Sequence, residues 1–130
     1  MPRLPPILFL LLAACQGDQS VAAFGAGDTL WKLQEIDRKP FDAHATLRFE
    51  GRGRIAGQAP CNRYRGRMNA PYPWFEATGI TTTKTACPAL AREAAFLGSL
   101  GRMTLAEVAG GTLILSDDKG RQMVFTAVPR

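Results

Sequence analysis

The chain has 130 residues, a formal net charge of +5, 46% hydrophobic and 21% charged side chains. Those fractions are ordinary for a globular chain, and the length leaves room for one hydrophobic core and too little for two. The excess of positive charge is mild, so it favours anionic surfaces without calling for nucleic acid.

Residues 1–14 carry one basic side chain, Arg3, then the apolar run Ile7 to Leu12, then Ala13 and Ala14. This is the order of a secretory signal peptide, and the run is too short to span a bilayer. Leu12-Ala13-Ala14-Cys15 resembles the lipobox of bacterial lipoproteins, so the Cys15 thiol is expected to carry diacylglycerol. The alternative is ordinary cleavage that leaves Cys15 as a free thiol, a liability in an oxidising compartment. Gln16, where an aspartate would favour retention at the inner membrane, points to the outer membrane of a Gram-negative cell with the protein facing the periplasm. Removing the leader leaves 116 residues with a charge of +4. Residues 15–27 then read as a lipid-anchored flexible tether of small and polar residues, and the domain as 28–128.

Within that domain Thr29 to Ile36 sets Trp31, Leu33 and, less cleanly, Ile36 among polar neighbours, which predicts a half-buried strand ended by Arg38-Lys39-Pro40. Thr46 to Glu50 alternates Leu47 and Phe49 with Arg48 and Glu50, and Gly51-Arg52-Gly53 turns it into a hairpin strand at Arg54 to Gly57. Arg63 to Met68 is a further strand, with Tyr64 and Met68 on one face and Arg63, Arg65 and Arg67 on the other; Trp74 to Ile80 pairs next. A helix is expected from Pro88, which suits the first helical position, with Leu90, Ala94, Leu97 and Gly101 as its apolar stripe, widened by Phe96 and Leu100. The remainder is a meander: strands at Thr104–Val108, Thr112–Ser116 and Gln122–Val128, with turns at Gly110-Gly111 and Asp117 to Gly120. About eight short strands and one helix make a small antiparallel α+β domain, with a curled or barrel-like sheet.

With these elements placed, the chain resembles the META domain family, also called HslJ-like, over Asp28 to Val128. The residues that carry the likeness are Trp31-Lys32-Leu33, Cys61-Asn62-Arg63-Tyr64-Arg65-Gly66, Thr83-Lys84-Thr85-Ala86-Cys87-Pro88, Glu93 with Phe96-Leu97 and Leu100, and Leu113-Ile114-Leu115. The pattern departs at Pro60, where the family usually has glycine, and at Thr85, where it often has methionine. The resemblance implies a small β-rich fold, frequent attachment to envelope lipoproteins, and an association with heat-shock or antibiotic stress. It implies no catalytic residues.

The residues themselves offer little catalytic chemistry. Cys61 and Cys87 form a disulfide or remain two buried thiols; export makes oxidation available, and neither lies in a Cys-x-x-Cys redox element. His44 is the single histidine and reads as a solvated loop residue, so no metal and no cofactor is expected. Gly51-Arg52-Gly53-Arg54-Ile55-Ala56 matches a loose dinucleotide pattern, but a strand follows it and there is no βαβ unit. Asn62 suits local backbone bonding, and Trp31, Trp74, Tyr64 and Phe96 are expected in the core. Arg52 and Arg54 precede Arg63, Arg65 and Arg67 by about one hairpin, so the five guanidinium groups are a candidate patch for an anionic partner, against the simpler role of a solvated face. The functional expectation is a monomeric, non-enzymatic envelope lipoprotein that supports stress tolerance by binding a protein or envelope component. An inhibitor of a periplasmic or foreign hydrolase is the alternative, and an enzyme with a site built from distant residues is a third reading.

Overall fold

A computed structural model describes residues 3–6 and 17–129. The apolar run of the leader, the expected cleavage after Ala14 and the acyl site at Cys15 lie outside the described residues. Among the described residues no helix is long and apolar enough to cross a membrane.

The strands are β1 (Trp31–Ile36), β2 (Lys39–Pro40), β3 (Thr46–Phe49), β4 (Arg54–Gln58), β5 (Arg63–Met68), β6 (Ala77–Thr82), β7 (Leu105–Ala109), β8 (Thr112–Ser116) and β9 (Gln122–Ala127), with the helix α1 (Leu90–Leu100) between β6 and β7. They form one antiparallel sheet in the order β6-β5-β4-β3-β1-β9-β8-β7, and β2 pairs aside with the end of β1. The sheet curls into a half-barrel, and its two ends meet at one corner. There Trp74 bridges Leu105, the Phe75 amide donates to the Thr104 carbonyl, and the Ala106 amide donates to that of Pro73, each bond 2.8 Å long.

Period-two alternation decides which face is apolar. Trp31 and Leu33 of β1, Leu47 and Phe49 of β3, Tyr64 and Met68 of β5, Leu113 and Leu115 of β8, and Met123 and Phe125 of β9 all turn inward and are buried. Ile36 fits the alternation poorly because β1 changes register against β9 between Leu33 and Glu35, where an extra residue reverses the phase. Arg38-Lys39-Pro40 does not simply end β1. Asp37 and Arg38 both take positive φ, making a two-residue turn that folds Lys39 and Pro40 back onto Ile36 and Glu35. Asp37 is held in that conformation by a reciprocal pair of 2.9 Å bonds with the backbone of Gln122.

Three further expectations are corrected. The strand expected over Trp74 to Ile80 is Ala77–Thr82, because Trp74 pairs with β7 instead of β5. Trp74 itself is 55% exposed and not a core residue. The helix begins at Leu90, two residues after Pro88, and its buried face is Glu93, Phe96, Ser99 and Leu100; Leu90 is 47% exposed and Ala94 is also exposed. An apolar-only stripe misplaces this face, since Glu93 is buried as a hydrogen-bonded carboxylate. Phe96 and Leu100 close the open side of the half-barrel, each contributing roughly 1.5–3 kcal/mol through burial.

The packed chain also starts before Asp28. Val21 and Ala26 are completely buried, bonds spanning five residues close a kinked helical turn at Ala22–Ala26, and the Trp31 indole donates to the Ala26 carbonyl at 2.9 Å. Residues 20–27 are therefore part of the body and not tether, because alanines and valine can fill core space that a composition-based reading assigns to a linker.

Candidate functional site

The residues of the sequence motif converge on one knot. Asn62 stands at the entry to β5 with every polar position of its side chain in use. Nδ2 donates to the Thr85 carbonyl at 2.9 Å and to Glu93 Oε2 at 2.8 Å, while Oδ1 accepts from the Thr85 amide at 2.6 Å and the Thr83 hydroxyl at 2.9 Å. Glu93, reaching down from α1, accepts the amides of Cys61 at 3.0 Å and Asn62 at 2.8 Å on Oε1. Burial pushes the Glu93 carboxyl up, but the Asn62 side chain and these two amides outweigh it and hold the group below the usual carboxylate range. Cys61 and Cys87 are joined in a disulfide with Cα atoms 5.5 Å apart, which ties the same two segments covalently. Two residues on, Tyr64 packs edge-on against Phe96 with centroids 5.5 Å apart and donates its hydroxyl to the Thr46 carbonyl at 2.6 Å. Its burial pushes the phenol pKa up, so it stays a neutral donor.

This knot explains the departure at Thr85. Asn62 bonds only the backbone amide and carbonyl of that residue, so the exposed side chain is free to vary. Cys61, Cys87, Asn62, Tyr64 and Trp31 are thus joints of the fold. Pro88 lies exposed in the turn that leads into α1, where the Leu90 amide donates to the Cys87 carbonyl.

The knot also fixes one end of an arginine-lined cleft. The Arg63 amide donates to Thr83 Oγ1 and the Thr83 amide donates to the Arg63 carbonyl, both at 3.1 Å, which holds the start of β5 against the segment that follows β6. Across the outer face of β3 to β6 the register places Arg48 beside Ala56, Ala56 beside Arg65, and Arg65 beside Thr81. In the flanking rows Arg54 faces Arg67 and Gln58 faces Arg63. Small residues, Ala56, Gly57 and Gly66, form the floor of a depression of about 680 Å³, with Arg48, Arg54, Arg63 and Arg65 among its lining and Glu50 as the one acidic residue there. Glu50 is engaged by Arg48 at 2.7 Å. Glycine is required at position 57, because a Cβ there would collide with the Thr46 carbonyl and crowd the Tyr64 hydroxyl, 2.8 Å away.

Four of the five arginines expected on one face are brought together. Arg52 is not among them: it lies in the β3–β4 turn, where Gly51 and Gly53 take positive φ, and lines a separate cleft of about 280 Å³ with residues 17–20, Asn69 and Pro71. Asp18 in that cleft has its carboxyl held below the usual range, first by bonds from Ser20 and further by the Arg52 charge. Arg48 takes the place of Arg52 on the face, a residue the hairpin spacing did not single out. Arg54, Arg63, Arg65 and Arg67 form no ion pair among the described residues.

His44 is exposed in the β2–β3 connection. Among the described residues no group of three or more His, Cys, Asp or Glu side chains is placed to hold a metal. Asp117, the other buried carboxylate, is committed to its turn. It accepts the amides of Lys119 and Arg121 and pairs with the Arg121 guanidinium at 2.6 Å; burial raises its pKa, but these contacts together lower it below the usual range.

No curated protein sequence matches the chain. Solved structures share its fold at low identity. A protein from Burkholderia xenovorans, determined by NMR, superposes with a TM-score of 0.66 at 22% identity, each chain covering the whole of the other. A DUF4847 family protein from Bacteroides vulgatus, determined by crystallography, gives 0.65 at 16% identity over 82% of this chain and 96% of that one. The family model of the META domain matches residues 24–129, four residues earlier than the sequence motifs suggest and within the helical turn at Ala22–Ala26. The chain belongs to the META domain family.

Proposed function

We propose that the protein is an outer-membrane lipoprotein facing the periplasm that acts without catalysis, by binding a phosphate-bearing envelope component in the arginine-lined cleft. The observation that carries this reading is the pairing of Arg54, which lines the cleft, directly opposite Arg67 on the same face, with Arg65 in the next row and, among the described residues, no carboxylate paired with any of the three. Like charges directly opposite one another in a sheet destabilise it, so an anion that bridges them recovers stability. Guanidinium forks onto phosphate oxygens, and the alanine and glycine floor leaves space for the group between the arginines. The family likeness supports a part in heat or antibiotic stress, and Cys15 supplies the anchor.

Two measurements test this reading. Intact-mass analysis of protein from the envelope shows acyl chains on an N-terminal Cys15, and Cys15→Ser abolishes membrane fractionation; an unmodified soluble form refutes the anchor. Titration of the leaderless chain with inorganic pyrophosphate shifts the amide resonances of Arg54–Gln58 and Arg63–Met68. Shifts spread over the whole domain, or none at all, refute the cleft.

A further inference from the structure

The corner where the chain enters the body presents aromatic rings to solvent. Phe24 is 58% exposed and stacks on Tyr72 with centroids 5.0 Å apart and 18° between planes; Trp74, two residues on, is 55% exposed. Scattered exposed apolar residues are ordinary on a soluble surface. Here Trp74 shares one turn with Tyr72, on which Phe24 stacks from the preceding helical turn, and that turn is held rigidly. The Trp74 amide donates to the Pro71 carbonyl at 2.7 Å, and its neighbours Pro73 and Phe75 are bonded to Ala106 of β7 and to Thr104 just before it. Gly25, at φ +123°, makes the bend that follows Phe24, and a Cβ there would lie 3.4 Å from a methyl of Val108 in β7.

The same turn grips the incoming chain, because the Tyr72 amide donates to the Gln19 carbonyl at 2.7 Å. Gln19 lies four residue steps after Cys15. Fully extended they reach about 14 Å. The headgroup layer of one leaflet is roughly 5–7 Å thick. An acyl chain on Cys15 therefore keeps the aromatic corner within about two headgroup thicknesses of the bilayer, at high effective concentration. Tyrosine and tryptophan suit that layer, since each combines an apolar ring with a polar tip.

We infer that Phe24, Tyr72 and Trp74 bed the domain into the headgroup layer of the membrane that holds its anchor. The inference rests on reading Cys15 as acylated. Bedding at this corner would orient the domain with the end of the arginine face beside the bilayer, because Gly53 and Met68, next to Arg54 and Arg67, line the same cleft as residues 17–20.

The test uses the mature protein reconstituted into phosphatidylethanolamine and phosphatidylglycerol vesicles, with and without lipids brominated near the headgroup end of the acyl chain. The two tryptophans separate cleanly: Trp31 is buried and Trp74 exposed, so subtracting the emission of a Trp74→Phe variant isolates Trp74. Bedding predicts that brominated lipid quenches the Trp74 emission by at least about twofold and that plain vesicles shift it to the blue, while Trp31 emission stays constant. Equal Trp74 emission in both vesicles, with acylation verified by intact mass, overturns the inference. A blue shift without quenching that grows with the protein-to-lipid ratio assigns the corner to a second copy and overturns it too. A mass without acyl chains overturns the anchor, and the docking with it.

Discussion

Replacing Glu93 with alanine removes the acceptor on which three donors converge. The amides of Cys61 and Asn62 and one Nδ2 proton of Asn62 then lose their partner. A buried donor left unsatisfied costs about 1–3 kcal/mol. Cys61 is only half-buried, so water reaches its amide, whereas both Asn62 donors are shielded. The expected loss is therefore about 2–6 kcal/mol, a large share of the stability of a domain this size. Glu93→Gln keeps one acceptor but sets an NH₂ against the NH₂ of Asn62. Asn62 cannot turn to relieve this clash, because Thr85 fixes both of its ends. That variant is expected to lose about 1.5–3 kcal/mol, the worth of one charge-assisted bond. Urea unfolding of the leaderless, disulfide-intact chain, followed by the buried Trp31, measures both. The pH dependence has a definite sign. The Glu93 pKa is lowered in the fold, so its contribution is full above the ordinary carboxylate value and disappears as pH falls through the lowered one. Glu93→Gln thus flattens the acid side of the stability curve. A Glu93→Ala variant within about 0.5 kcal/mol of the parent would refute the claim that the motif is a structural joint.

Reducing the Cys61–Cys87 bridge, which spans 26 residues, lowers stability by about 3.5 kcal/mol on the chain-entropy model, read as a shift of the urea midpoint. Gly57→Ala destabilises by about 1–3 kcal/mol, since the new methyl displaces either Thr46 or Tyr64 from their hydrogen bond; thermal unfolding checks this. Arg67→Gln leaves the fold intact and raises stability at low salt by about 0.2–1 kcal/mol, because it relieves the cross-strand pair with Arg54, and the gain shrinks as salt is added.

The sheet was legible in the sequence because its strands alternate cleanly. Leu47 and Phe49 against Arg48, and Tyr64 and Met68 against the three arginines, set both register and facing. The motif residues were legible as a set, but their assembly was not. Nothing in the spacing of Asn62, Thr83, Thr85 and Glu93 says that one amide can bond all three other residues; only the approach of α1 to the start of β5 brings them together. The same approach hid the helix face, since a buried glutamate reads as a surface residue until its partners are known. Trp74 was misplaced for a related reason. Its alternation fits a core strand, but the closure of the sheet recruits its backbone to β7 and leaves the ring outside. Arg48 lies a full strand away from the arginine run, and only cross-strand register shows that Ala56 alone separates it from Arg65.

The most direct test of the arginine cleft is flotation of the leaderless chain with vesicles of phosphatidylethanolamine and phosphatidylglycerol, compared with vesicles of phosphatidylethanolamine and phosphatidylcholine, over a range of salt. The account predicts binding to the anionic vesicles only, weakening as salt rises, and lost when Arg63, Arg65 and Arg67 are all replaced by glutamine while the melting temperature holds. A triple variant that floats as the parent does, or a parent that ignores anionic vesicles at low salt, would contradict it and leave these arginines as a solvated face.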